Sequence, residues 1–105
     1  MKIAISSTGN TLDAPLDPRF GRCAYLILID SQTGEFTALP NAAASQSGGA
    51  GVQSATKVVE QGAQVVISGS FGPKATQTLE AGGVQIHTST AATVRLAVEQ
   101  WQQSS

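Results

Sequence analysis

Apolar residues fall in two different rhythms along this chain. KIAIS (2–6) is a short apolar run rich in β-branched residues and bounded by the polar stretch SSTGNTLDAPLDP, the pattern of a buried strand followed by a loop. AYLILID (24–30) and EFTALP (35–40) are two more such runs. The turn-forming SQTG (31–34) joins them and Pro40 ends the second, which predicts a β-hairpin. NAAASQSGGAG (41–51) has no periodicity and reads as a mobile loop. From Val52 the rhythm becomes helical: Val52, Ala55, Val58 and Val59 share a face, and Gly62 closes the segment. QVVISG (64–69) is a further buried strand. FGPKATQTLEAGG (71–83) is a short helix with Pro73 in its first turn and Gly82 or Gly83 at its C-cap. VQIHT (84–88) is the last strand, and Val94, Ala97, Val98 and Trp101 then mark one face of a final helix, with QQSS expected to fray.

Strand, hairpin, helix, strand, helix, strand, helix is the order of an α/β protein with a mixed five-stranded sheet between helices. Its second half pairs in parallel through right-handed crossovers. Ligands of such open sheets gather beyond the carboxyl ends of the parallel strands. That edge is expected to receive SSTGN, GSFGPK, HTSTAAT and the Gly-rich loop. Helix N-termini expected near Gly51, Gly72 and Ala91 would offer backbone N–H groups and partial positive charge, a general anion site. Lys74 stands in the first turn of the middle helix, where a cation opposes the local dipole, so an anionic ligand accounts for it better than stability does. In DPRFGRC (17–23), Arg19 and Arg22 flank Phe20 and Gly21 and lead to Cys23, the only cysteine. Their planar guanidinium groups suit the same anion cradle.

Composition narrows the functions on offer. The 105 residues suffice for one domain, spanning 1–105, and 41% hydrophobic residues with mean hydropathy near zero is the balance of a soluble globule. A net charge of -1 supplies no basic footprint for nucleic acid. No apolar run approaches a membrane span, and the N-terminus lacks the pattern of a secretory signal. One cysteine permits no internal disulfide and fits a reducing compartment, so a cytoplasmic monomer is expected. One histidine and one cysteine exclude the paired motifs of zinc and iron-sulfur sites. GSFGPKA has the wrong spacing for a P-loop, and Gly49, Gly51 and Ser54 approach GxGxxG only outside its strand context. A Cys23–His87 dyad lacks an obvious acidic partner, so no enzyme activity is expected. Taken singly, the arginines suit a solvated loop, Cys23 a small core position, and His87 a hydrogen-bonded structural role. Their convergence on one edge is what favours a site.

MKIAISSTG, DPRFGRC with AYLILID, NAAASQSGGAGVQ, VVISGSFGPKA and HTSTAATVRLAVE together resemble the dinitrogenase iron-molybdenum cofactor biosynthesis family, the group of NifX-like proteins and NifB C-terminal domains. The resemblance spans nearly the whole chain, and within the family it is strongest to the small orange-protein type of anaerobic bacteria. It implies a ribonuclease H-like three-layer α/β fold with sheet order 3-2-1-4-5 and strand 2 antiparallel. It also implies non-covalent carriage of a molybdenum-copper sulfide cluster or a related iron-molybdenum-sulfur cluster. The partners it implies are that inorganic cluster and a metalloenzyme or nucleotide-binding ATPase. Carried over by position, the cofactor site comprises Phe20, Gly21 and Arg22; Gly48, Gly49, Ala50 and Gly51; and Gly72, Pro73 and Lys74. Arg19, Ser70, Phe71 and Thr88 complete the cradle.

This chain has Arg19 where many relatives have histidine, Cys23 where they have another residue, and Asn41-Ala42 where the loop often begins Asn-Pro. Cys23 and His87 therefore stand as candidate metal contacts with packing roles as the alternative. A thiometallate brings its own sulfide, so N–H donors, arginines, a lysine and an apolar wall of Phe20 and Phe71 would hold it, with the Gly-rich loop closing over. Two other classes stay open on the residues alone: an enzyme or sensor for a phosphorylated or other anionic metabolite, and a ligand-free regulatory partner.

Overall fold

A computed structural model describes residues 1–42 and 49–104. The strands are β1 (Lys2–Ser7), β2 (Tyr25–Asp30), β3 (Phe36–Pro40), β4 (Val65–Ser68) and β5 (Gln85–Thr88). The helices are α1 (Ala50–Glu60), α2 (Pro73–Ala81) and α3 (Val94–Ser104). The sheet runs β3-β2-β1-β4-β5. β2 is antiparallel to both its neighbours, whereas β1–β4 and β4–β5 are parallel. This is the α/β architecture the sequence pattern predicts, with the strand order the family resemblance implies.

Side-chain alternation on the central strands sorts the core into two layers. Ala4, Leu26, Leu28 and Val66 face one way and pack with Ala55 and Val58 of α1 and with Ala75 and Leu79 of α2. Ile3, Ile5, Ile27, Val65 and Ile67 face the other way and pack under Val94, Ala97, Val98 and Trp101 of α3. Two helices therefore cover one face and the third covers the other. The helical period explains each: Ala75 and Leu79 lie one turn apart, and the four buried residues of α3 form the stripe read from the sequence. Gly82 and Gly83 both serve the end of α2, for different reasons. Gly83 takes the left-handed conformation at φ 77°, and a Cβ on Gly82 would meet Val59 Cγ2 at 2.5 Å, so its absence lets α1 and α2 lie close.

Three boundaries differ from expectation. α1 begins at Ala50, not Val52, because Gly49 turns into the helix at φ 73° and Ala50 is buried. α3 continues to Ser104 instead of fraying beyond Trp101, and the Ser104 hydroxyl donates to the Trp101 carbonyl at 3.1 Å, satisfying a terminal acceptor. Phe20–Arg22 forms a single 3-10 turn inside the loop after β1. The predicted loop 41–51 is described only at its ends, since 43–48 lie outside the described residues. No helix among the described residues is long and apolar enough to cross a membrane.

Trp101 is the largest side chain anchoring α3 and is 8% exposed. Trp101→Ala is expected to lower the unfolding free energy by about 3–5 kcal/mol, read by urea denaturation; a loss below about 1 kcal/mol would mean that the helix is held elsewhere.

Candidate functional site

β1, β3, β4 and β5 all run toward the same edge of the sheet, so the segments that follow them gather there. The β1 loop is tied down first. Ser6 and Ser68 are fully buried near the ends of β1 and β4, their hydroxyl oxygens 2.7 Å apart, and Ser6 Oγ donates to the Asp17 carbonyl at 2.7 Å. The buried Asp17 carboxylate accepts the Arg19 N–H at 2.9 Å, an Asx turn that starts the 3-10 turn. Phe20 N–H donates to the Ser70 carbonyl at 3.2 Å, and the Ser70 hydroxyl donates to the Pro18 carbonyl at 2.7 Å, so the loops after β1 and β4 are stitched together.

Backbone contact then brings in α1. A Cβ on Gly21 would lie 2.8 Å from Gly51 Cα and 2.9 Å from Gly51 N, and one on Gly69 would lie 2.6 Å from Pro18 Cα. Only glycine fits at either position. Gly51 in turn faces Ala75 of α2. Gly49, Gly51, Val52, Gly72, Pro73 and Lys74 surround an open depression of about 290 Å³ between the starts of α1 and α2. Neither helix has a side-chain cap or an acid in its first turn. Among the described residues no side chain caps the leading N–H groups of either helix, and Pro73 lacks its own. Arg19, Arg22 and Lys74 are exposed at this edge. A larger depression of about 360 Å³, between the β2–β3 turn and α3, lies at the opposite edge and receives none of these groups. Its cation, Arg95, is bound to Asp13 at 2.9 Å.

The residues singled out from the sequence divide into groups. Gly49, Gly51, Gly72, Pro73 and Lys74 come together at the depression, with Arg19, Gly21 and Arg22 on the adjoining turn, whereas Ala50 is buried and does not line it. Gly48 lies outside the described residues. Phe20 is 1% exposed and packs against the half-buried Phe71 with ring centroids 5.1 Å apart, so Phe20 is a core residue and not an exposed wall of the cradle. Ser70 is a stitch between loops, and Thr88 is exposed at the end of the edge strand β5. The helix start expected near Ala91 is α3, which begins at Val94 with its N–H groups already used. Val94 and Arg95 donate to the carbonyls of Ala14 and Leu12, and Leu96 donates to the Thr93 hydroxyl. Among the described residues, two helix N-termini, not three, lie at this edge without a side-chain cap.

Cys23 and His87 are not brought together. His87 pairs with Ile67, whose side chain lies on the α3 face, whereas Cys23 is packed among the residues under α1 and α2. Burial and the nearby Asp17 push the Cys23 thiol up to about 12, so it is protonated at neutral pH. No group of three or more His, Cys, Asp or Glu side chains suited to a metal ion occurs among the described residues.

Sequence reasoning missed Asp17, Ser54 and Asn41. Asn41 Nδ2 donates to the Cys23 carbonyl at 2.9 Å and lies 3.5 Å from the Gly21 carbonyl. Its Oδ1 accepts the hydroxyl of the fully buried Ser54 at 3.2 Å. Asp17 was legible as an Asp-Pro turn starter, but nothing local to Asn41 or Ser54 signals a partner that far along the chain.

A family model described as dinitrogenase iron-molybdenum cofactor matches residues 1–104. Among solved structures, the apo form of the orange protein from Desulfovibrio gigas is 36% identical, with a TM-score of 0.94 over 98% of this chain and 88% of that one. A putative NifB protein from Thermotoga is 28% identical, with a TM-score of 0.85 over 97% and 87%. A protein of Methanocaldococcus jannaschii described as uncharacterized is 29% identical over 90 residues, 83% of this chain and 73% of that one.

Two outcomes test this geometry. Iodoacetamide should alkylate Cys23 in the folded protein at about pH 8 roughly a thousandfold more slowly than in urea-unfolded protein, the effect of moving the pKa from 9.0 to about 12. Similar rates would place the thiol at the surface. The stability linked to this raised pKa is complete below about pH 9 and is lost as pH climbs toward about 12. Gly21→Ala should destabilise the fold by about 1–3 kcal/mol in chemical denaturation through its clash with Gly51, and a neutral result would refute the close contact.

Proposed function

We propose that this chain, which belongs to the dinitrogenase iron-molybdenum cofactor family, binds and carries an intact anionic metal-sulfide cluster, of molybdenum-copper or iron-molybdenum type, without covalent attachment. The observation that carries the reading is the pairing of cations with acid-free, uncapped helix starts. Arg19, Arg22 and Lys74 share one sheet edge with the open N-termini of α1 and α2, and neither helix places an acid in its first turn. Lys74 at the start of α2 and Glu80 at its end both oppose the helix dipole, so the charge arrangement of α2 serves something other than the helix.

The donor set determines what kind of metal species suits this edge. A bare metal ion needs thiolates, imidazoles or carboxylates, and the thiol here is buried and protonated. A thiometallate arrives with its coordination filled by sulfide and carries net negative charge. N–H groups and guanidinium ions hydrogen-bond to its sulfur atoms and leave the metal–sulfur bonds intact. Phe71 gives the soft, weakly hydrated sulfides an apolar surface. Because no protein atom ligates metal in this scheme, release requires only that the outer contacts open, which suits a carrier that hands its cargo to a metalloenzyme or to an ATPase partner.

Anaerobic titration of the apo-protein with tetrathiomolybdate and Cu(I), followed by visible absorption and elemental analysis, tests the reading. Stoichiometric uptake with sulfide-to-metal charge-transfer bands is expected. Arg22→Ala and Lys74→Ala should each weaken retention about three- to tenfold, while Cys23→Ser should change it by less than about twofold. Failure of the wild type to take up the cluster, while it binds inorganic phosphate, would assign the edge to an anionic metabolite instead.

A further inference from the structure

The geometry points to Asn41 as the positioning residue of the cation edge: its side-chain amide fixes the arginine turn against α1 and so sets the shape in which the cargo is held. This inference deepens the proposed cluster-carrying reading and rests on it for its functional half. Asn41 is the first residue after β3, and its own N–H donates to the Ala24 carbonyl at 2.9 Å, which places its side chain at the mouth of the sheet. On the Nδ2 side stand two backbone carbonyls, those of Gly21 and Cys23, which flank Arg22. Carbonyls accept and never donate, so only an N–H₂ group satisfies that side. On the Oδ1 side stands the Ser54 hydroxyl, a donor from the second turn of α1, whose oxygen also lies 3.5 Å from the Gly21 carbonyl. One planar amide therefore reads a two-acceptor surface and a donor at once.

Three segments meet at this amide: the turn that carries Arg19 and Arg22, the helix whose N-terminus opens at the depression, and the chain leaving β3 toward 43–48. The carbonyls on either side of Arg22 meet this amide directly. The N–H groups of the 3-10 turn are used by Arg22 to Arg19 and Phe20 to Ser70, but the Gly21 and Cys23 oxygens face Asn41 and Ser54. Removing the amide leaves the carbonyls on both sides of Arg22 without this donor, and a turn so freed samples several orientations. The charges at the edge would be unchanged and their arrangement lost.

Asn41→Ala, Asn41→Asp and Ser54→Ala separate positioning from charge and from folding. In amide hydrogen exchange of the cargo-free protein, Asn41→Ala is expected to speed exchange at Phe20 and Arg22 at least about tenfold while Ile5 and Val66 in the sheet keep their protection. Asn41→Asp should match or exceed it, because it keeps the shape but turns an acceptor toward two carbonyls. Ser54→Ala, which leaves the Nδ2 donor in place, should have the smaller effect. With tetrathiomolybdate and Cu(I) as the probe, Asn41→Ala should weaken binding about three- to tenfold and alter the visible circular dichroism of the bound chromophore. Its dependence on salt should stay that of the wild type, whereas Arg22→Ala should flatten that dependence. Unchanged exchange at Phe20 and Arg22 in Asn41→Ala overturns the inference whether or not the probe binds. Faster exchange with unchanged affinity and dichroism overturns it as well, leaving Asn41 a structural clasp only. If the wild type takes up no probe, the cluster-carrying reading falls, and with it the functional half of this one. Should Asn41→Ala fail to fold, Asn41→Ser, which is too short to span both carbonyls, is held to the same outcomes.

Discussion

β1 pairs antiparallel on one side and parallel on the other, and the placement of every segment of the candidate site follows from that switch. Because β4 and β5 run with β1, their following loops emerge beside the loop that follows β1. Because β2 runs against it, the end of β3 and the start of β2 arrive at the same edge. Four segments distant in sequence are thereby forced into one neighbourhood, with two helices beginning there on one face. The preference of ligands for this edge of an open sheet is a consequence of the same geometry: helix starts and free backbone donors are delivered to it together.

Close backbone approach then converts a neighbourhood into a site. The missing side chains of Gly21 and Gly69 let the arginine turn sit on α1 and on the loop after β4 at distances that any Cβ would forbid. Hydrogen bonds fix what the contacts permit. Serine hydroxyls from β1 and β4 hold the Asp17 carbonyl, the Asp17 carboxylate starts the turn, and Asn41 closes it from the far side. The polar groups lie beneath and the cations above, so the order of the turn is set by buried hydrogen bonds while its arginines stay exposed. That division suits a surface meant to meet an anion, since Arg19, Arg22 and Lys74 are all exposed there.

The element order and the two helix-covered faces were legible because they depend on local period. The alternation in KIAIS and the stripe Val94, Ala97, Val98, Trp101 each declare themselves within a dozen residues. The glycine loops were legible as places where backbone must come close, although not to what. Expectation went astray where a distant segment decided the outcome. α3 was expected to open an anion site, yet its first N–H groups are taken by Leu12 and Ala14, some eighty residues earlier in the chain. Cys23 and His87 were considered as a dyad, yet they belong to opposite faces of the sheet, which the parity within one strand cannot reveal. Asn41 and Ser54 look like an ordinary turn residue and an ordinary helix residue until the fold brings them together.

The buried thiol bears on the same balance of forces. A cysteine two residues before β2 and directly after the arginine turn would be a natural metal ligand if it faced outward; here it fills a fully enclosed core position and keeps its proton. A scaffold that buries its one thiolate precursor beside a surface of arginines and N–H groups has separated the soft ligand from the charged edge. Binding at that edge then depends on charge, shape and hydrogen bonding, all of which weaken together as salt rises or the turn loosens. Covalent ligation would tie the cargo's residence to the strength of metal–sulfur bonds. The outer-sphere cradle proposed above would tie it to the order of one short turn, which contacts the Asn41 amide.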